Sequence, residues 1–311
     1  MADSERVAAW LALLSMPGAG AQLARRLAAR FGGPEQVLAA PEQELLACRL
    51  SGEQAAWLRT ARRRLRHAGD QAEAAQEHGI SFLLADDPEY PELLAGTPDA
   101  PPLLSLLGTL EAADSRAVAL VGTRSPSPPG AGTATFLARA LALHGVTVVS
   151  GLARGVDRAA HQGALAAGGR TLAVLGCGLE HCYPPEHQEL AQGVAGQGCL
   201  LSERPPWFPP TRQALLARNR LQAGLAKALL VVQAREQGGS YVAARRTLKL
   251  GRPLFALSWR DPEFAAGADR LAGMGAVVGK AEDLLAELVA AAYAPAPAPP
   301  LVLDEDWDLL G

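Results

Sequence analysis

Six short apolar runs recur along the latter two thirds of this chain, and their spacing is its strongest constraint. They lie at Ala117–Val121, Val146–Ser150, Thr171–Leu175, Cys199–Ser202, Leu229–Gln233 and Pro253–Leu257. Runs about 25–30 residues apart, with helical periodicity between them, have the repeat length of βαβ units. They predict an α/β domain with a doubly wound, mainly parallel sheet and helices on both faces. A further strand is expected at Ala276–Val278, followed by a helix over 281–292. In such a sheet, ligands bind outside the carboxyl ends of the strands.

The residues after each run are therefore the first place to look for chemistry. Gly122-Thr123-Arg124-Ser125 follows the first run and Gly151-Leu152-Ala153-Arg154-Gly155 the second. Gly176-Cys177-Gly178, Glu203-Arg204 and the stretch from Ala234 to Ser240 follow the next three. Glycine lets backbone N–H groups approach an anion, and arginine pairs with phosphate through two parallel hydrogen bonds. Several such loops on one sheet edge point to a phosphate-bearing ligand. Neither GxGxxG nor GxxxxGK[ST] occurs, which argues against NAD chemistry and ATP hydrolysis.

Charge is unevenly placed. The 311 residues carry a net charge of −3, yet the stretch from Arg204 to Arg252 holds ten Lys/Arg and a single acid, Glu236. Such a stretch reads either as the footprint of a polyanion or as a solvated surface. Arg218-Asn219-Arg220, with Trp207-Phe208 upstream, suits a single strand gripped at its phosphates and stacked at its bases. The same two arginines could instead tie their helix to carboxylates such as Glu203. Asp157 and His161, four apart on one helix face, read as an acid/base pair or as a capping Asp and a satisfied core His.

The first 80 residues are helical in pattern, with a break at Pro17-Gly18-Ala19-Gly20 between two periodic segments. This helix–hairpin–helix-like turn is either a phosphate-binding turn or a compact joint. Four arginines, 62, 63, 64 and 66, fall on a following helix. Residues 81–110, punctuated by prolines, read as a linker that packs. Residues 294–311 read as a Pro-rich linker and a short acidic tail. No run of about 20 apolar residues suggests a membrane span, and the start lacks the features of a secretory leader. A cytoplasmic protein is expected. The four cysteines (48, 177, 182 and 199) lack metal-ligand spacing and are expected to be free thiols, with no metal site.

These residues resemble the DprA/Smf family of DNA-processing proteins. The similarity rests on VALVGTRSPSPPG (118–130), VVSGLARGVDRAAHQGAL (148–165), TLAVLGCGLEHCYPP (171–185), LSE (201–203), RNRLQAGL (218–225) and GGSYVAARRTLKLGRPLFAL (238–257). The lead-in DDPEYPELL and DAPPLL segments also resemble the family. The resemblance implies an extended Rossmann-like domain over 81–293, preceded by an all-α, SAM-like domain over 1–80. It implies binding of single-stranded DNA by a homodimer and loading of the recombinase RecA during natural transformation, with single-strand-binding protein as a further partner. It implies no enzymatic activity, catalytic residue or cofactor. DNA contacts carried over or expected at the same loops are Gly122, Thr123, Arg124, Ser125, Gly151, Arg154, Gly155, Arg218, Asn219, Arg220 and Ser240. Departures from the family pattern fall at Pro129, His187 and Asp269. Many members add a C-terminal winged helix, of which 294–311 has no counterpart.

The competing reading is a nucleotide phosphoribohydrolase-like enzyme on a related fold. Its PGGxGTxxE signature would supply a phosphate loop and a catalytic Glu. The nearest segment here, QGGSYVAAR (237–245), lacks that Glu.

Overall fold

The computed structural model describes residues 4–295 apart from positions 19 and 237, so the acidic tail and most of the Pro-rich run lie outside the described residues. Nine strands form one sheet in the order β1-β2-β6-β5-β4-β3-β7-β8-β9. The expected parallel strands are all present: β3 (Ala117–Val121), β4 (Thr147–Ser150), β5 (Thr171–Leu175), β6 (Cys199–Ser202), β7 (Ala228–Val231), β8 (Leu254–Leu257) and β9 (Val277–Gly279). From β3 the chain winds outward through β4, β5 and β6. It then returns to the other side of β3 as β7, so the order reverses between β3 and β7. That reversal opens the crevice in which doubly wound proteins bind ligands.

The 81–110 segment differs from the expected linker. It holds two strands, β1 (Ile80–Leu84) and β2 (Leu103–Gly108), paired antiparallel with each other, and β2 is antiparallel to β6. The prolines that suggested a linker fall between the two strands, where they remove no ladder donor. The sheet is thus extended at its β6 side by a two-stranded flap.

Alternation sorts the side chains to the two faces. Val118 and Leu120 of β3 pack with α8 (Pro128–Leu143), α9 (Val156–Ala166) and α15 (Ala281–Tyr293). Ala117, Ala119 and Val121 face α12 (Asn219–Leu225), α13 (Ser240–Lys249) and α14 (Pro262–Gly273). The N-terminal helices include α1 (Ser4–Leu14), α2 (Ala21–Phe31), α5 (Gly52–Leu58) and α6 (Ala61–Glu77). α1 is buried along its whole length from Val7 to Leu14, and its cluster continues without a break into Ile80, Phe82, Leu103, Leu175 and Leu200 of the sheet. Arg25 of α2 adds a tie by donating to the Ala100 carbonyl at 2.9 Å.

The second face is closed by a buried cation. Arg252 precedes β8, and its Nη1 donates to the carbonyls of Gly224 (2.8 Å) and Ala226 (2.7 Å) at the end of α12. Its Nη2 donates to Leu93 O at 2.6 Å. A cation at a helix C-terminus satisfies carbonyls that have no intrahelical donor. Arg252→Met is expected to leave these carbonyls unpaired and cost about 3 kcal/mol. Urea unfolding of the two proteins measures it, and a loss under about 1 kcal/mol would mean that the carbonyls find other donors.

Candidate nucleic-acid interface

The crevice between β3 and β7 is a cleft of about 660 Å³. Its walls are the turn after β3, the turn after β7, and the segment leading into α11 (Arg212–Ala217) and α12. The β3 turn is fixed by Gln233. Thr123 N–H donates to the Gln233 carbonyl (2.8 Å), Ser127 N–H donates to Gln233 Oε1 (3.0 Å), and Gln233 Nε2 donates to Ser127 Oγ (2.9 Å). Ser127 also caps α8 by accepting from Gly130 N–H. Arg124 projects from this braced turn into solvent.

The floor is built on Arg218. Its guanidinium is buried, donates from Nη1 to the Val174 carbonyl at 2.9 Å, and lies 3.5 Å from the Asp157 carboxylate. In the orientation of the Gln222 amide that satisfies its neighbours, Oε1 accepts from Gly151 N–H (2.9 Å) and Arg218 Nη1 (2.8 Å). Burial raises the Asp157 pKa, which Arg218 partly offsets, and burial lowers that of Arg218, which Asp157 partly offsets. Gly151 is glycine because a Cβ there would stand 1.4 Å from Arg218 Nη1. Gly155 has φ +79°, and a Cβ would stand 2.4 Å from the Thr123 carbonyl, so it holds the two loops together. Between them Leu152 adopts a left-handed conformation (φ 61°), with its side chain buried and its carbonyl 2.8 Å from His187 Nδ1. Such a conformation persists in a non-glycine residue only where the surroundings over-determine it.

Of the eleven expected contacts, Gly122, Thr123, Arg124, Ser125, Arg218, Asn219 and Ser240 line the cleft. Asn219 Nδ2 donates to the Gly239 carbonyl at 3.0 Å and secures the turn before Ser240. Gly151 and Gly155 shape the loops beneath. Arg154 is exposed outside the lining and pairs with Glu186 at 2.5 Å. Arg220 does not reach the cleft. Successive helix residues point about 100° apart, and Arg220 turns instead to Glu203 and to Asp99, whose carbonyl it meets at 2.9 Å. Asp99 also pairs with Arg246, so these charges form an internal network. The tie between the RNR helix and Glu203 accounts for Arg220.

Arg212, Arg235 and Tyr183 are among the cleft residues that the expected contacts leave out. Arg212 and Arg235 belong to the basic stretch, and only the fold separates them from its structural arginines. Arg235 pairs with Glu263 at 2.7 Å. Arg124 and Arg212 are exposed and make no ion pair or hydrogen bond among the described residues. Nothing in the sequence marks Tyr183. Among the described residues no cluster could hold a metal, and the four cysteines are free. No described helix is long and apolar enough to cross a membrane.

Asp157 lies at the floor of the cleft, and His161 belongs to the core beneath it. His161 Nδ1 lies 2.7 Å from Thr171 Oγ1, whose own hydroxyl donates to the Val148 carbonyl. The imidazole proton is therefore on Nδ1, and Nε2 has no partner among the described residues.

The fold and this cleft define a Rossmann-like α/β protein with an arginine-bearing cleft at its topological switch point. Residues 81–289 match the family described as DNA recombination-mediator protein A. The chain belongs to that family. It is 37% identical to Protein Smf of Synechocystis over 294 residues, which cover 93% of this chain and 74% of that protein. It is 36% identical to DNA processing protein DprA of Bacillus subtilis, covering 69% and 73% of the two chains. The Streptococcus pneumoniae DprA structure superposes with a TM-score of 0.74 at 27% identity, over 92% of this chain and 98% of that one. The Helicobacter pylori DNA processing protein A, described for its unique single-stranded DNA binding mode, superposes with a TM-score of 0.61 at 32% identity, over 68% and 96%.

Two outcomes follow from the floor. Gly151→Ala is expected to push the guanidinium off its site, leave Asp157 buried and unpaired, and cost about 3 kcal/mol in urea unfolding; a near-neutral result would show that the loop yields instead. Burial, and next Arg218, lowers the His161 pKa from 6.5 to about 3. The unfolded chain then binds the extra proton, so stability falls as pH drops below 6.5. The loss is about 2 kcal/mol by pH 5, and His161→Gln is expected to flatten that slope.

Proposed function

We propose that the chain binds single-stranded DNA along this cleft without catalysis, and as a homodimer in the cytoplasm delivers it to RecA during recombination of incoming strands. The observation that carries the reading is the pair of exposed guanidinium groups, Arg124 and Arg212, which make no ion pair or hydrogen bond among the described residues and lie on two walls of a glycine-lined cleft at the switch point. Backbone amides and arginines grip phosphates without reading sequence, as a protein handling arbitrary strands requires. Membership of a recombination-mediator family and likeness to a protein described for its single-stranded DNA binding mode support the same ligand. A family of mediators suits a protein that hands its strand on, with single-strand-binding protein as the competitor to be displaced.

Two features favour a single strand over a duplex or a mononucleotide. The cleft is partly open to solvent rather than enclosed, which suits a continuing chain. Tyr183, 36% exposed, is its one aromatic lining residue among those described, and gives a base a face to stack on. The cleft's single carboxylate, Asp157, is committed to Arg218, which supports binding rather than hydrolysis.

Fluorescence anisotropy with a labelled single strand and a duplex of equal length tests this. Single-strand binding is expected to dominate and to weaken steeply with salt, about 0.7 log units per log unit of salt for each phosphate held. Arg124→Ala and Arg212→Ala should each lower affinity about tenfold and make that slope shallower. Tyr183→Ala should cost about tenfold, with Tyr183→Phe close to wild type. Binding indifferent to both arginines would overturn the cleft assignment.

A further inference from the structure

α6 carries its charge the wrong way round. A helix N-terminus bears partial positive charge and disfavours cations by about 0.3–1 kcal/mol each. Yet the first two turns of α6 hold Arg63, Arg64, Arg66 and His67, all exposed, and no acid in the first turn. The acids Asp70, Glu73 and Glu77 come later, towards the end that disfavours them. Packing does not demand this arrangement, since the buried stripe is Ala68, Ala72 and Ala75. Arg64 is engaged locally, donating to Thr60 Oγ1 (3.3 Å) and lying over the Trp57 ring (5.6 Å). Arg63 and Arg66 make no ion pair or hydrogen bond among the described residues. A helix that breaks its own electrostatic rule without a local gain is a place to look for a ligand.

Position supplies the second observation. The His67 ring packs against Trp207, with centroids 6.3 Å apart and planes inclined by 55°. Trp207 belongs to the 205–210 loop, whose Pro210 and next residue Thr211 line the cleft. That loop is pinned: Gly178 N–H donates to the Phe208 carbonyl (2.8 Å), Glu180 N–H to the Pro206 carbonyl (3.0 Å), and His181 Nε2 lies 3.1 Å from the Trp207 carbonyl. Thr211 lies four positions after Trp207, a reach of at most about 14 Å. Arg63, one turn before His67, shares its side of the helix. The basic turns of α6 therefore begin where the cleft wall ends.

We infer that a single strand leaving the cleft crosses the Trp207 loop and continues onto α6, where Arg63 and Arg66 hold its phosphates. This rests on the cleft reading above and extends it: the helical unit is a second segment of one binding track. The strand is long enough to use both segments only beyond the length that fills the cleft.

The test uses the full chain with labelled oligothymidylates of about 6 and about 20 nucleotides, bracketing the site sizes of single-strand binders. R63Q/R66Q is expected to lower affinity for the long strand about tenfold and to make its salt slope shallower by about 1.4, the value for two phosphates. The short strand should be bound as by wild type, and R63K/R66K should restore the long one. Arg124→Ala should weaken both lengths. If R63Q/R66Q binds the long strand as wild type does while Arg124→Ala weakens both, the track is overturned and the cleft stands. If R63Q/R66Q weakens both lengths alike, the effect comes through the fold and the track is again overturned. If Arg124→Ala changes neither length, the cleft fails and the track with it.

Discussion

The binding face depends on one guanidinium kept away from solvent. Arg218 lies under the loop after β4, reaches the last carbonyls of β5, pairs with the first turn of α9 and belongs to the start of α12. Four elements share this one cation. Its burial is costly, as is that of Asp157, and the pair is tolerable because each removes part of the other's penalty and hydrogen bonds supply more. The loop above has no freedom left: Gly151 leaves no room for a side chain, Leu152 is held left-handed, and Gly155 abuts the neighbouring turn. A site with fixed donors does not have to reorganise when an anion arrives.

This division of labour changes what the charge of the chain means. Counted along the sequence, the stretch from 204 to 252 looks like one large basic surface. In the fold most of that charge is already used. Arg218, Arg220, Arg246 and Arg252 are tied to internal carboxylates and carbonyls, Arg235 is paired with Glu263, and Arg204 lies over the Phe208 ring. What remains of it at the cleft is Arg212, joined there by Arg124 from the turn after β3. A protein with net charge −3 can thus offer a local anion site without a broadly cationic surface that would bind polyanions indiscriminately.

How far the sequence could be read follows from the same physics. Strands buried on both faces appear as nearly continuous apolar runs, so β3 to β8 were legible to within a residue or two. β1 and β2 were not, because the prolines between them dominate the local signal and the strand that joins β2 to the sheet, β6, lies almost a hundred residues away. Cleft-lining residues on turns, such as Thr123, Arg124 and Ser125, could be picked out because glycine and arginine after a strand have few other uses. Arg218-Asn219-Arg220 reads as one motif, yet helical rotation sends its three side chains to the floor, the cleft and an internal network. Tyr183 carried no signal, since an aromatic beside a proline is ordinary in any loop.

The unbroken core between the N-terminal helices and the sheet has a consequence for how the chain is made. Val7 and Leu11 share an apolar cluster with Leu175 and Leu200. The helices emerge from the ribosome first, but the surface that completes them is synthesised last among their partners. α1 can pack early against α2 and α6, but until about two thirds of the chain exists the part of their cluster that meets the sheet has no partner. The helical unit can therefore begin to fold on local contacts, while the completion of its core waits on long-range ones.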